Sequence, residues 1–310
     1  MRAKWIATYR LQLHAGFPLP AAQQVLGYLA ELGISHVYLS PCLQAVPGSQ
    51  HGYDVVDPGK ISDDLGGEQA WSRFVGAARE LQLRILLDVV PNHMSASQYN
   101  PWWDDLLKQG PFSPYADFFD IRIPPGQPFC VHLCSLAQPY GAALEAGELK
   151  IEVSGNELRV RHYENTWPLG PASWGELLAS DEPCFDELER LGSVTAPVEE
   201  DRCAYRRLAA RARAILAEAA ASGRLQDAVI RAQSEKACVD ATLSRQYYQL
   251  HGWKLAGELT NYRRFFDVDT LIGIRAERPE VASATHARIK QMIANDEIDE
   301  IGRASCRERV

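Results

Sequence analysis

The chain has 310 residues, 46% hydrophobic and 23% charged, enough apolar material to bury a core as one large domain with an insertion or as two domains. Its formal net charge of −8 argues against a nucleic-acid partner. The apolar runs are too short to span a bilayer, and Arg10 and Gln12 interrupt the amino-terminal stretch before it can serve as a signal core, so no membrane is expected as a partner.

In chain order, "KWIATYRLQL" reads as a strand. "LPAAQQVLGYLAELGI" follows with Ala22, Val25, Leu26, Leu29 and Leu32 at helical spacing, Pro20 suited to a first turn and Gly33 to the end. "SHVYLSP" is a second strand, closed by Pro41, and the following stretch, rich in Gly, Pro, Ser and Asp, reads as a loop. "GGEQAWSRFVGAARELQL" is a second amphipathic helix with Ala70, Trp71, Phe74, Ala77, Ala78 and Leu81 on one face. "RILLDVV" is nearly all apolar, as a strand is when helices cover both faces of a parallel sheet. Strands alternating with helices predict a parallel α/β arrangement, barrel or open sheet.

After about residue 98 the rhythm changes. "ELKIEVSGNELRVRHY" predicts a hairpin turning at Ser154-Gly155-Asn156. Helices are predicted from Asp181 to Ala256, including "CAYRRLAARARAILAEAAAS" and the run beginning at Gln226 that contains "SRQYYQLHGWKLAG". Residues 99–256 therefore read as an insertion after the third strand, and 257–299 as a return toward a fourth, with "THARIKQMIANDEID" as its leading helix. The seven cysteines are odd in number and scattered, which suits reduced thiols in a cytoplasm. Cys130, His132 and Cys134 alternate as on a half-buried strand rather than stepping as zinc ligands do.

Two stretches carry chemistry. "QHGYDVVDP" follows the second strand and "LLDVVPNHM" contains the third. In a barrel, side chains at the carboxyl ends of strands converge on one mouth. Asp88 and His93 can there hydrogen-bond the hydroxyls of a polyol, His51 and Tyr53 overhang the same mouth, and Asp54 can orient a neighbour. A tyrosine face is a platform for the apolar face of a sugar ring. Each residue has a plainer reading as well: Asp88 as a cap, His93 as a satisfied core histidine, Tyr53 as packing. A third cluster, "NYRRFFDVDTLIGIRAERPEV", sets Arg263 and Arg264 between aromatics and ahead of aspartates. Such arginines either fix a loop through ion pairs or reach a ligand; the spacing favours the first.

The string "HGYDVVDP" followed by "LLDVVPNH" resembles the opening of the α-amylase superfamily of glycoside hydrolases, whose first signature region is Asp-x-x-x-Asn-His. More narrowly, "ATYRLQLHAGF", "LGISHVYLSP" and "LSRQYYQLHGWKLAGELTNYRRFFDVDTLIGIRAERPEV" resemble the maltooligosyltrehalose synthase family, the (1→4)-α-D-glucan 1-α-D-glucosylmutases, over about residues 4–299. The resemblance implies an incomplete (β/α)8 TIM barrel, its first three strands and helices in residues 1–98, with a large mixed, mainly helical insertion. It implies an intramolecular transglucosylase that turns the reducing-end α-1,4 link of a maltooligosaccharide into an α,α-1,1 link, in a cytoplasmic trehalose pathway beside a trehalose-releasing hydrolase. No cofactor is implied. Asn92 matches a position that ligates calcium in some relatives, but no metal is carried over, since the other ligands have no match here.

Retaining chemistry of this kind needs a carboxylate nucleophile and a second carboxylate as acid/base. The resemblance puts both beyond Asp299, so no residue here is assigned as catalytic, and the polypeptide is expected to be an inactive amino-terminal fragment with an unpaired, solubility-limiting sheet edge. "EIGRASCRERV", Glu300 to Val310, shows neither strand alternation nor helical spacing and reads as a non-native tail, the translation of an adapter. Two other functions remain open: an α-amylase-type hydrolase or other glucan transferase, and a non-catalytic glucan-binding protein.

Overall fold

The structure, a computed structural model, describes residues 5–155, 157–195, 197–266 and 268–303. The chain divides into two compact units, Met1–Asn100 with Thr270–Val310, and Pro101–Asp269. No described helix is long and apolar enough to cross a membrane.

The first unit begins with β1 (Thr8–Leu11), the helices α1 (Leu19–Gln24) and α2 (Leu26–Glu31), β2 (His36–Leu39), β3 (Leu43–Ala45) and β4 (Val55–Ile61). It continues with α3 (Gly67–Glu80), β5 (Arg84–Val89) and β6 (His93–Ser95), and later adds a helix at Pro279–Ala294. A four-stranded sheet runs β1, β2, β5 and then Glu300–Arg303, every pair parallel. Val37, Leu39, Ile85 and Leu87 from the strands meet Leu19, Leu26, Leu29, Trp71 and Phe74 from the helices in one core. This is the parallel α/β arrangement that the strand–helix rhythm predicts.

Four local expectations change. The first predicted helix is two, α1 and α2, interrupted at Val25, whose amide bonds back only to Ala22 and Gln23. Leu81 is exposed because α3 stops before it; Leu83, at the start of the next strand, takes the core position. The stretch read as a loop after Pro41 contains β3 and β4, an antiparallel pair with register shifts that the dense Gly, Pro and Asp content conceals. Residues 300–303, read as tail, form a strand in register with β5, Asp88 opposite Gly302. The remainder of that tail, 304–310, lies outside the described residues.

The second unit starts with α4 (Pro101–Gln109), β7 (Val131–Leu136) and α5 (Tyr140–Glu145). The predicted hairpin is β8 (Lys150–Ser154) with β9 (Glu157–His162), to which β10 (Asn165–Pro168) adds a third antiparallel strand. Gly155 takes the positive φ of the turn, +61°; Asn156 lies outside the described residues. Helices α6 (Trp174–Leu178), α7 (Pro183–Gly192), α8 (Glu199–Ala221), α9 (Arg224–Ser234) and α10 (Lys236–Ser244) follow. The helical run expected through "RQYYQLHG" does not hold. Tyr248–Gly252 is a strand, β11, parallel to β7, because Tyr248 and Leu250 alternate into the core around exposed Gln249. The six described cysteines are free thiols.

A buried ion network ties the returning helix to α3. Arg288, 8% exposed, holds Glu68 at 2.8 Å and Glu297 at 3.0 Å, and the Trp71 indole donates to Glu297 at 2.6 Å. Burial works to raise Glu297, but hydrogen bonds from Asn295, Trp71 and Arg288 outweigh it and hold the carboxyl below its ordinary value of 4.5. Its stabilisation is therefore full above that value and is lost as the pH falls through the lowered one. Arg288→Met should cost about 2 kcal/mol at neutral pH, read as a lower urea midpoint, and the gap to the parent should narrow below pH 4.5. Equal midpoints at neutral pH would remove the network from the stability of this unit.

Candidate functional site

Asp88 lies near the end of β5, and its side chain is wholly covered. A buried carboxylate needs partners or it costs several kcal/mol. Two come from elsewhere in the unit: the Tyr53 hydroxyl donates to Asp88 Oδ2 at 2.7 Å, and Arg10 Nη1 at 3.1 Å. Arg10 Nη2 also donates to the Tyr53 oxygen at 3.0 Å, which closes a triangle. The guanidinium is stacked over the Tyr38 ring, 4.5 Å from its centre. β1, β2 and β5 thus each contribute to one cluster at neighbouring strands. Burial first, and then the bond to Asp88, push the Tyr53 phenol up to about 12, so it remains a donor across the physiological range.

Tyr53 reaches Asp88 because its loop is fastened at several points. Gly52 has φ +74°, and a Cβ there would stand 2.5 Å from the Pro41 carbonyl oxygen, so only glycine permits this approach. Gln12 donates its amide to the carbonyl of Gln50 at 3.3 Å. His93 Nε2 lies 3.1 Å from the Tyr53 carbonyl oxygen, which can only accept, so Nε2 carries the hydrogen. On its other side, His93 Nδ1 lies 3.0 Å from Asn92 Oδ1, so the ring is held between two neighbours.

His51 and Asp54 belong to the same loop but act within it. The Tyr53 amide donates to His51 Nδ1 at 3.0 Å. A nitrogen that accepts there has no hydrogen left for Asp54, so the 3.7 Å separation from the Asp54 carboxylate is proximity rather than a hydrogen bond. Asp54 is instead held by the Ser49 hydroxyl at 2.5 Å, and Ser49 in turn accepts from the Gly52 amide. The His51 imidazole is half exposed and tilted against the Tyr53 ring at 5.8 Å.

Of the six residues singled out in the sequence, His51, Tyr53, Asp54, Asp88 and His93 form one connected set in the first unit. Arg263 belongs to the second unit, where its guanidinium is 3.8 Å from Asp120. Its neighbour Arg264 pairs with Asp269 at 2.7 Å; Asp267 lies outside the described residues. Sequence reasoning missed Arg10 and Gln12. Their signal was two polar residues at period two on a strand destined for a sheet, which places both on one face. Among the described residues no three His, Cys, Asp or Glu side chains converge as a metal site would.

A parallel α/β unit with polar residues gathered at adjacent strand ends is what an α-amylase-type catalytic domain provides, and the family model described as "Alpha amylase, catalytic domain" matches residues 21–136. Intracellular maltogenic amylase of Bacillus subtilis is 35% identical over 97 residues, 31% of this chain and 16% of that protein. The narrower likeness covers far more. A putative maltooligosyl trehalose synthase of Mycobacterium tuberculosis is 31% identical over 301 residues, 95% of this chain and 30% of that protein. The solved maltooligosyltrehalose synthase of Arthrobacter ramosus superposes with a TM-score of 0.67 at 30% identity, covering 96% of this chain and 30% of the other. The chain therefore resembles maltooligosyltrehalose synthases over nearly all its length and spans about 30% of theirs.

The cluster makes a direct test of its own coupling. Arg10→Met, which strands a buried carboxylate, should cost about 2 kcal/mol. In an Asp88→Asn background the same change should cost well under about 1 kcal/mol. Equal costs in both backgrounds, by urea unfolding, would mean that Arg10 does not act through Asp88.

Proposed function

We propose that this chain is the amino-terminal part of a maltooligosyltrehalose synthase, and that its first unit supplies the opening strands of a (β/α)8 barrel. The observation that carries the reading is the Tyr53–Asp88–Arg10 triangle. It stands on the strand ends where the α-amylase likeness falls, inside a chain whose resemblance to these synthases extends over 95% of its length. In this reading the substrate is a maltooligosaccharide, the setting is cytoplasmic, and a trehalose-releasing hydrolase consumes the product.

The roles follow from the bonds. Asp88 is not a nucleophile: its carboxylate is buried and committed to Tyr53 and Arg10. It acts as the anchor that fixes the Tyr53 ring as a platform for one glucose unit. His93 fastens the backbone of Tyr53 from beneath while holding the floor of the same subsite. His51, tilted against the ring, shapes its outer edge, and Asp54 keeps the loop closed through Ser49. Arg263, in the second unit, is retained as a further candidate contact to the glucan. Neither Asp88 nor Asp54 offers the pair of uncommitted carboxylates, about 5 Å apart, that retention requires, so residues 1–310 alone bind rather than turn over.

A second reading has its own support, since 97 residues of the chain also match maltogenic amylase. Maltopentaose separates the two in the full-length protein. A mutase lowers the reducing-end titre without releasing glucose, whereas a hydrolase raises it; a rise would overturn the synthase reading. Tyr53→Ala in that protein should lower kcat/KM by about a hundredfold through loss of the platform, with Tyr53→Phe much milder. Product formed by purified 1–310 would overturn the binding-only role of this part.

A further inference from the structure

The second unit contains an amphipathic cavity with no part in the Asp88 cluster. Its volume is about 230 Å3, and α5, α10 and β11 supply its walls. Leu243 and Leu250, both buried, make the apolar part, while Tyr140, Asp240, Gln249 and His251 bring polar atoms to it. A space of this size suits a single ring with its substituents, roughly a dozen non-hydrogen atoms.

The polar groups are arranged but not used up. The Tyr140 hydroxyl donates to Asp240 Oδ1 at 2.7 Å, which steadies both side chains and leaves Asp240 Oδ2 with no bond among the described residues. The Gln249 side-chain amide likewise has no partner among them, and its residue is exposed. His251 Nε2 is 3.0 Å from His132 Nδ1, so one ring donates to the other. Whichever donates, His251 Nδ1 keeps one function, a donor or an acceptor. Burial and the neighbouring His132 push the His251 imidazole down, so it is neutral at physiological pH.

The charge balance narrows the ligand. Among the described residues, Asp240 is the one charged side chain on the wall and no Lys or Arg lines the cavity, so an anion gains nothing here. A purely apolar ring would fill the leucine side but gain nothing from the polar atoms of Asp240, Gln249 and His251. A ring with carbon-bound hydrogens on its faces and hydroxyls around its edge satisfies both sides. We propose that this cavity binds one neutral pyranose unit, its face on Leu243 and Leu250 and its hydroxyls on Asp240, Gln249 and His251. All of its described lining residues belong to the second unit, and the proposal does not depend on the reaction assigned to the first.

The experiment is an NMR titration of the whole chain with methyl α-glucoside, beside glucose 1-phosphate and cyclohexanol. Asp240→Ala and Gln249→Ala change exposed side chains, and far-ultraviolet circular dichroism checks that each variant retains the parental fold. Glucoside binding should survive Tyr53→Ala and weaken about tenfold in at least one of the two cavity variants. The phosphate ester and cyclohexanol should both bind more weakly than the glucoside. The proposal falls if no glucoside binding survives Tyr53→Ala, if neither cavity variant weakens it, or if either comparison compound binds as tightly.

Discussion

A carboxylate taken out of water decides how the first unit is built around its centre. Asp88 has no contact with solvent, and an isolated charge there would unfold more than it could organise. Two of its donors, Arg10 and Tyr53, come from positions 78 and 35 residues away in sequence. The demand for those donors joins the first strand, the loop after the second and the end of the third into one object. Gly52, Gln12 and His93 then follow as requirements, since each removes a way for Tyr53 to be elsewhere.

This order of dependence explains what the sequence disclosed and what it hid. The strands β2 and β5 were plain because "HVYL" and "RILLDV" are short apolar runs, and burial is a property each residue declares for itself. Tyr53, Asp88 and His93 were visible as an acid, an imidazole and a ring near predicted strand ends. Arg10 was not, because its meaning is relational: an arginine on an edge strand is ordinary until a buried carboxylate is known to stand beside it. Tyr248–Gly252 misled for a similar reason. Its alternation is only five residues long and abuts a true helix, so the longer period captured it until β7 was seen alongside.

Two further arginine networks among the described residues of the first unit serve the scaffold rather than the Asp88 cluster. Arg288 with Glu68 and Glu297 ties the helix at Pro279–Ala294 to α3, with the guanidinium itself covered and Glu68 half exposed. Asp299 with Arg79 and Arg84 likewise sets the level at which the strand at 300–303 enters the sheet, through the Asp299 bond to the Ile85 amide. Entry at that level puts Gly302 opposite Asp88, where a small residue leaves room beside Tyr38, 3.3 Å from where a Cβ would be.

The contact between His93 and the Tyr53 carbonyl carries one more implication. The imidazole gives its hydrogen to the main chain, so the tether is indifferent to the side chain at position 53. Exchanging the tyrosine would empty the place beside Asp88 while leaving the loop fastened to the start of β6.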